Sequence, residues 1–143
     1  MSTLSVLLVA ACALIDADGR VLISQRPKGK AFEGLWEFPG GKLELGERPE
    51  QAIVRELREE LGVEPCERCL QPFSFASHTY DDFHLLMPFY ICRQWDGIPR
   101  PKENQAIRWL FPDKLADVNW VPADITLAQE IRDRLPKGRR FES

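Results

Sequence analysis

The sequence predicts one mixed α/β domain in which strands alternate with two helices. Its 143 residues suit a single domain, expected to span 1–143, and 44% hydrophobic residues are enough to form a buried core. Short apolar stretches bounded by turn signals predict the strands, and two segments with apolar residues at helical spacing predict the helices.

Charge and the N-terminal residues exclude several classes of protein. The net charge of −3 argues against a protein that binds polymeric nucleic acid through phosphate contacts. The apolar run Leu4–Ile15 has no Lys or Arg before it and is too short to span a membrane. We interpret it as a buried strand, which predicts a cytoplasmic protein without membrane contact. The sequence does not distinguish a monomer from a dimer.

The strands are assigned from their turn signals. Leu4–Ile15 and Arg20–Gln25 flank Asp18-Gly19 and are predicted to pair as a hairpin. Leu35–Phe38 is predicted as a short strand that ends at Pro39-Gly40-Gly41, where two glycines permit close approach of another group. The later strands are predicted at Phe73–Ser77, Phe83–Arg93 and Ala106–Leu110. A helical turn is predicted at Pro112–Val118. A helix is predicted at Pro122–Leu135, where the apolar residues that form one side have roughly helical spacing: Ile125, Leu127, Ala128, Ile131 and Leu135.

The other helix is predicted from Pro49 to Leu61. Pro49 suits the first turn and Gly62 suits the C-terminal stop. At about 100° per residue, one arc of the helix is apolar and faces the core. Its members are Ile53, Val54, Leu57 and Leu61.

Three acids occupy the adjoining arc of this helix: Glu56, Glu59 and Glu60. Like charges three or four residues apart destabilise a helix by roughly 0.2–0.5 kcal/mol per pair. Converging carboxylates are, however, the ligands that Mg²⁺ or Mn²⁺ prefers. The alternative is a solvated acidic surface paired with Arg55 and Arg58.

Cysteine and histidine give weaker signals. Cys66 and Cys69 form a C-x-x-C, but no second pair of metal ligands follows at a suitable spacing. We therefore expect reduced thiols without a zinc or redox role, and we assign His78 and His84 no role.

The segment Gly41–Val63, GKLELGERPEQAIVRELREELGV, resembles the Nudix box at every defined position. The preceding Trp36-Glu37-Phe38-Pro39-Gly40-Gly41-Lys42 resembles the lead-in of MutT-type members. The resemblance implies the Nudix fold, a mixed sheet sandwiched between α-helices. It also implies a metal-dependent enzyme in which water attacks the β-phosphate of a nucleoside triphosphate and releases a nucleoside monophosphate and pyrophosphate.

The resemblance assigns roles to individual residues. It implies that Mg²⁺, or Mn²⁺, is held by carboxylates and one backbone carbonyl: Glu56, Glu59, Glu60, Glu103 and the carbonyl of Gly40. Glu56 is the first choice for the general base, with Glu103 as the alternative. Arg55 is expected to orient the carboxylates and to pair with Glu47.

The implied substrate contacts come from separate segments. Arg26 and Lys42 are expected to bind phosphate, and Phe38 lies where relatives place an aromatic side chain against the base. Leu8 and Ala10 are expected to form the floor of the base pocket. Trp109 and Trp120 are expected to pack in the core rather than to stack on the base.

Asp124 leaves the substrate open, because MutT has an asparagine at this position. A protonated Asp124 donates a hydrogen bond and suits 8-oxo-dGTP, which would indicate a role in nucleotide-pool sanitisation that protects DNA replication. An ionised Asp124 only accepts and suits a cytidine nucleotide such as CTP, dCTP or 5-methyl-dCTP. Other Nudix substrates (ADP-ribose, dinucleotide polyphosphates or capped RNA) and a non-catalytic binding module are the further alternatives.

Overall fold

Three sheets and two helices make up the fold. The computed structural model describes residues 4–135. The strands are β1 (Ser5–Leu14), β2 (Val21–Gln25), β3 (Trp36–Glu37), β4 (Gly40–Lys42), β5 (Glu64–Pro65), β6 (Gln71–Thr79), β7 (Phe83–Cys92), β8 (Trp95–Asp96) and β9 (Ala106–Leu110). The central sheet has the order β4-β1-β7-β6, in which β1 and β7 are parallel and the other neighbours antiparallel. Two smaller sheets have the orders β3-β2-β9 and β5-β8.

The two helices, α1 (Pro49–Leu61) and α2 (Ile125–Arg134), cover opposite faces of the central sheet. Alternate residues of β1 face opposite sides, because side chains alternate along a strand. Ala10, Cys12 and Leu14 pack with α1, whereas Ala11 and Ala13 belong to the core that contains α2. The predicted sandwich of a mixed sheet between helices is therefore confirmed.

Helix α1 has the predicted bounds. The four residues of its apolar arc are buried. The side chain of Gln51 accepts a hydrogen bond from the N–H of Arg48 (2.9 Å) and so caps the first turn. Gly62 ends the helix with φ 69° and ψ 25°, the left-handed conformation that glycine adopts without a steric penalty.

The first predicted hairpin is wrong in its extent. β1 and β2 belong to different sheets, and only the bridge between Ile15 and Val21 joins the two segments. The Asp16 side chain accepts hydrogen bonds from the backbone N–H of Asp18 and Arg20, which tightens the turn. Beyond this turn β1 pairs with β7 and β2 pairs with β9, so the two strands diverge.

The last helix begins later than predicted. Pro122–Asp124 form a 3-10 turn, and α2 starts at Ile125. Ile125 is 45% exposed, so its assignment to the apolar side was wrong, whereas Leu127, Ala128 and Ile131 are buried as predicted. No helix within residues 4–135 is both long enough and apolar enough to cross a membrane.

The expected state of the C-x-x-C is also corrected. Cys66 and Cys69 are joined by a disulfide, because a 3-10 turn at Glu67–Cys69 brings their Cα atoms to 5.2 Å. Cys12 and Cys92 are free and buried on adjacent strands.

Candidate active site

A cavity of about 440 Å³ lies between the polar side of α1, strand β4 and the loop that precedes β9. Its acidic lining consists of Glu37, Glu56, Glu60 and Glu103. Its basic lining consists of Arg26, Lys30 and Lys42. The cavity therefore gathers residues from segments far apart in sequence, and we call it the acidic cavity.

Glu60 is the most deeply placed acid of the α1 motif. Its Oε2 accepts a hydrogen bond from the N–H of Gly40 at 3.2 Å. Burial, followed by the neighbouring charges of Glu56, Glu37 and Glu103, raises the pKa of Glu60 to about 9. One backbone donor does not compensate for this accumulation of carboxyl groups, so the site favours a positive partner.

Arg55 fixes the position of Glu56. Its Nη1 donates to Glu56 Oε1 (2.8 Å), while Nε and Nη2 donate to the two carboxylate oxygens of Glu47 (2.9 Å each). Nη2 also donates to the Lys42 carbonyl at 2.9 Å. The hydrogen bonds from Arg55 lower the pKa of Glu47 to about 2. Burial nevertheless raises the pKa of Glu56, so this carboxylate combines a fixed position with increased basicity.

Two glycines allow β4 to lie against its neighbours. A Cβ at Gly40 would overlap the backbone of Ala10 and Ala11, and a Cβ at Gly41 would overlap the Glu56 carboxylate. The glycine pair therefore permits both the pairing of β4 with β1 and the close approach of Glu56.

Glu59 does not join the other two acids of its helix. It is exposed and does not line the acidic cavity, since it lies about 100° from Glu60 around the helix and faces solvent. Within residues 4–135, no three acidic, histidine or cysteine side chains converge closely enough to hold a metal ion. The predicted convergence of Glu56, Glu59 and Glu60 is thus not met by these side-chain positions, because Glu56 is held by Arg55 and Glu60 by Gly40.

The loop that carries Glu103 is tied to the end of α1. Gln105 Nε2 donates to the Glu60 carbonyl (2.8 Å), and Gln105 Oε1 accepts from the N–H of Glu103 (2.7 Å). The N–H of Lys102 donates to the same Glu60 carbonyl at 3.1 Å. These bonds place Glu103, an exposed residue, at the edge of the acidic cavity.

A second cavity, of about 560 Å³, adjoins the first and is called here the base pocket. Both cavities are lined by Val9, Arg26, Glu37 and Lys42. The far part of the base pocket is lined by Leu7, Phe32, Tyr80, Phe83, Met87, Ala123 and Asp124, among others. One elongated ligand can therefore occupy both cavities, with Arg26 and Lys42 between its ends.

Asp124 is almost completely buried, with 3% of its surface exposed. Its Oδ2 accepts the N–H of Phe38 at 2.8 Å, across 86 residues of sequence. Burial raises the pKa of Asp124 to about 8, although the Phe38 N–H opposes this shift. The carboxyl group is therefore mainly protonated at neutral pH and has an O–H to donate.

Two expected contacts with the base are corrected. Leu8 and Ala10 lie on the α1 side of the sheet, while Leu7 and Val9 line the base pocket, because the alternation along β1 is offset by one residue from the expectation. The Phe38 ring is 3% exposed and does not line the pocket. It stacks on Trp120 with ring centroids 4.7 Å apart, so its backbone rather than its ring reaches the pocket, through Asp124.

Arg26 is held by two hydrogen bonds. It donates through Nη1 to Glu37 Oε2 (3.3 Å) and through Nε to the Ala31 carbonyl (2.9 Å). Trp120 is buried, and Trp109 stacks on Trp95 with centroids 6.2 Å apart, as expected for core packing.

Sequence reasoning missed Glu37 and Gln105. A charged residue between Trp36 and Phe38 was a usable signal for Glu37, whereas nothing in the sequence marked the contact of Gln105 with Glu60.

Comparisons with known proteins identify relatives of this chain. The NUDIX domain family matches residues 10–130. An 8-oxo-dGTP diphosphatase of Proteus vulgaris is 40% identical over 87 residues, which cover 61% of this chain and 76% of that protein. A CTP pyrophosphohydrolase of Escherichia coli is 38% identical over 119 residues, covering 82% of this chain and 85% of the relative.

Solved structures show the same fold. A MutT structure from a study of Aliivibrio salmonicida and Vibrio cholerae superposes with a TM-score of 0.78 at 32% identity. The match covers 92% of this chain and 100% of the other. The family match, the extent of the shared sequence and the shared fold together show that this chain belongs to the Nudix hydrolase family, among its MutT-type members.

Proposed function

We propose that the chain hydrolyses a nucleoside triphosphate to a nucleoside monophosphate and pyrophosphate, with 8-oxo-dGTP as the main substrate. This proposal rests on the observation that the acidic cavity and the base pocket adjoin and share lining residues. The base would enter the pocket beside Asp124, and the phosphates would extend past Arg26 and Lys42 towards Glu56 and Glu60. In this role the enzyme would act in the cytoplasm on the nucleotide pool.

The carboxylates that line the acidic cavity suit a divalent cation by their chemistry, although their side-chain positions within residues 4–135 do not converge on one point. Carboxylate oxygens are the ligands of hard cations. Burial, followed by the charges of the neighbouring carboxylates, raises the pKa of Glu60, and a bound cation would favour its ionised form. Glu56, Glu60 and Glu103 would hold Mg²⁺ or Mn²⁺, with Glu59 and the Gly40 carbonyl as further candidates. When bound, the cation would neutralise phosphate charge and increase the acidity of water.

Side chains of the protein would position the substrate and accept the proton from the attacking water. Arg55 keeps one oxygen of Glu56 occupied and leaves the other available. Because burial raises the pKa of this carboxyl group, Glu56 is the better general base, and Glu103 remains the alternative. Arg26, held by Glu37 and the Ala31 carbonyl, would bind the phosphate chain.

The protonation of Asp124 favours the oxidised purine. A neutral carboxyl group both donates and accepts, as the amide of asparagine does. An ionised Asp124 would instead favour the amino group of cytosine, so hydrolysis of CTP, dCTP or 5-methyl-dCTP is the second candidate. The similarity to a CTP pyrophosphohydrolase over 82% of the chain supports that candidate.

A direct test is kcat/KM for 8-oxo-dGTP, dGTP, dCTP, CTP and 5-methyl-dCTP at pH 7 with Mg²⁺, with pyrophosphate as the measured product. We expect 8-oxo-dGTP to exceed dGTP by at least about tenfold, the discrimination of roughly one well-placed hydrogen bond. Preference for a cytidine nucleotide would select the second candidate. Release of orthophosphate instead of pyrophosphate would contradict both.

A further inference from the structure

The face of the central sheet that α1 packs against is only half covered. Strand β1 changes from exposed to buried along its length: Val6 and Leu8 are 59% and 45% exposed, whereas Ala10 and Cys12 are both 0% exposed. All four residues lie on the same side, because side chains alternate along a strand. Helix α1 covers the second half of this face, and no helix of the described residues covers the first half.

The uncovered half continues across the neighbouring strands. Val6 pairs with His84 and Leu8 with Leu86 on β7. On β6, Thr79 pairs with His84, Ser77 with Leu86, and Phe75 with Pro88. Leu45 lies beside Val6 and Leu8 along a shallow groove and is fully exposed. We call this surface, formed by Val6, Leu8, Leu45, Phe75, Ser77, Thr79, His84, Leu86 and Pro88, the bare half-face.

The bare half-face exposes enough apolar area for an interface. Val6, Leu8, Leu45 and Phe75 are between 45% and 107% exposed. With about 150–200 Å² for each fully exposed large side chain, they present on the order of 500 Å², near the largest patch on a typical monomer. The half-buried neighbours extend this area towards the roughly 800 Å² per partner of a standard interface.

The polar groups of the bare half-face satisfy each other. The ring nitrogens of His84 lie 2.7 Å from Ser77 Oγ and 2.7 Å from Thr79 Oγ1. The acids at the edge of the groove, Glu44 and Glu47, are both paired with Arg55. No member of the bare half-face is an Asp, Glu, Lys or Arg. The members of the bare half-face therefore need no complementary charge from a partner, while Glu44 and Glu47 lie at its rim.

We propose that the bare half-face is the interface of a two-fold symmetric homodimer of this chain. A two-fold axis places the same patch on both sides of the contact, which suits a largely apolar surface whose own members carry no charge. The acidic cavity opens between α1, β4 and the loop before β9, and the base pocket lies on the opposite side of the sheet. Both would stay accessible in the dimer.

The test is the molar mass of the full chain by sedimentation equilibrium, over a concentration range of about three decades. We expect a reversible monomer–dimer equilibrium for the natural chain and at least a tenfold weaker association for Val6→Lys and for Phe75→Glu. Ile98→Lys is the matched control, because Ile98 is 73% exposed and lies outside the bare half-face. Both variant side chains start exposed, so the melting temperature should change little.

Several outcomes would overturn the proposal. One is a monomer at every concentration, and another is a dimer that both variants leave intact. A chain ending at Leu135 tests a different occupant of this surface, the residues after 135. If that shortened chain dimerises while the full chain does not, the C-terminal segment rather than a second copy covers the bare half-face.

Discussion

The carboxyl groups of Glu60, which is partly buried, and of Asp124, which is buried, line adjoining cavities, but their surroundings differ. Burial first, and then the charges of Glu56, Glu37 and Glu103, raise the pKa of Glu60 to about 9. Asp124 has one acidic neighbour, Glu37, and a pKa of about 8 that results mainly from burial. Without a cation, both carboxyl groups are therefore mainly protonated near neutral pH. A cation can stabilise the ionised form of Glu60 among its acidic neighbours, whereas the isolated Asp124 acts as a neutral hydrogen-bonding group.

The two sites also differ in how the chain builds them. Glu56 and Glu60 come from adjacent turns of one helix, so their proximity follows from sequence spacing. Asp124 meets the N–H of Phe38 across 86 residues, and only the tertiary fold brings them together. Substitutions at the two sites should consequently affect different steps, turnover at the cluster and recognition at the isolated acid.

The largest effect is expected for Glu56→Gln. The amide keeps the shape but accepts protons poorly and binds a cation weakly, so kcat should fall by about 10³-fold or more, within the range that general-base catalysis and metal binding contribute together. Nucleotide binding, measured by calorimetry, should remain. Glu67→Gln is the control, because Glu67 pairs with Arg48 on the surface. A variant with kcat within tenfold of the natural enzyme would remove Glu56 from its role.

The sequence predicted which residues of α1 are buried, but neither the position of Glu59 nor the side of β1 that meets the base pocket, for physical reasons. Helical periodicity fixes which residues of Pro49–Leu61 are buried, and these predictions were confirmed. The same periodicity did not show that Glu59 faces solvent, because this depends on where β4 and the loop before β9 pack. Leu8 and Ala10 were assigned to the wrong side of β1, since in a strand that is apolar on both faces the pattern does not identify which side meets the pocket.

A substitution at Glu60 tests the metal-binding role of the cluster and leaves the proposed general base, Glu56, in place. Glu60→Gln should lower kcat/KM by about 10²-fold at low Mg²⁺, since one charged ligand is lost. Near pH 7 and without metal, the same variant should be more stable than the natural chain by about 2–6 °C in melting temperature, because folding of the natural chain requires Glu60 to take up a proton, whereas the amide is already neutral. Thermal unfolding in a chelator and in excess Mg²⁺ measures both effects. A lower melting temperature in the chelator would show that Glu60 stabilises the fold in another way.

For Asp124 we expect a smaller effect, a change in the KM for the substrate that depends on pH. In the natural enzyme Asp124 is protonated below a pKa of about 8 and ionised above it, so its donated hydrogen bond is lost as pH rises through this value. The KM for 8-oxo-dGTP should rise by about tenfold between pH 7 and pH 9, the equivalent of one hydrogen bond. Asp124→Asn mimics the protonated acid and should remove this rise while keeping kcat/KM at pH 7 within about threefold. A rise that persists in Asp124→Asn would assign the titration to another group.

The smallest effect tests which side of β1 meets the substrate. Val9 lines both cavities, whereas its neighbour Leu8 points to the bare half-face. Val9→Ala should raise the KM for the nucleotide about threefold, because the two lost methyl groups are only partly covered by the ligand and together contribute about 0.7 kcal/mol, slightly less than one fully buried CH2 group. Leu8→Ala should leave KM within about 1.5-fold, although it removes more side-chain atoms. If Leu8→Ala raised KM more than Val9→Ala, the base would lie on the α1 side of the sheet, and Asp124, which lines the opposite side, would have no role in reading it.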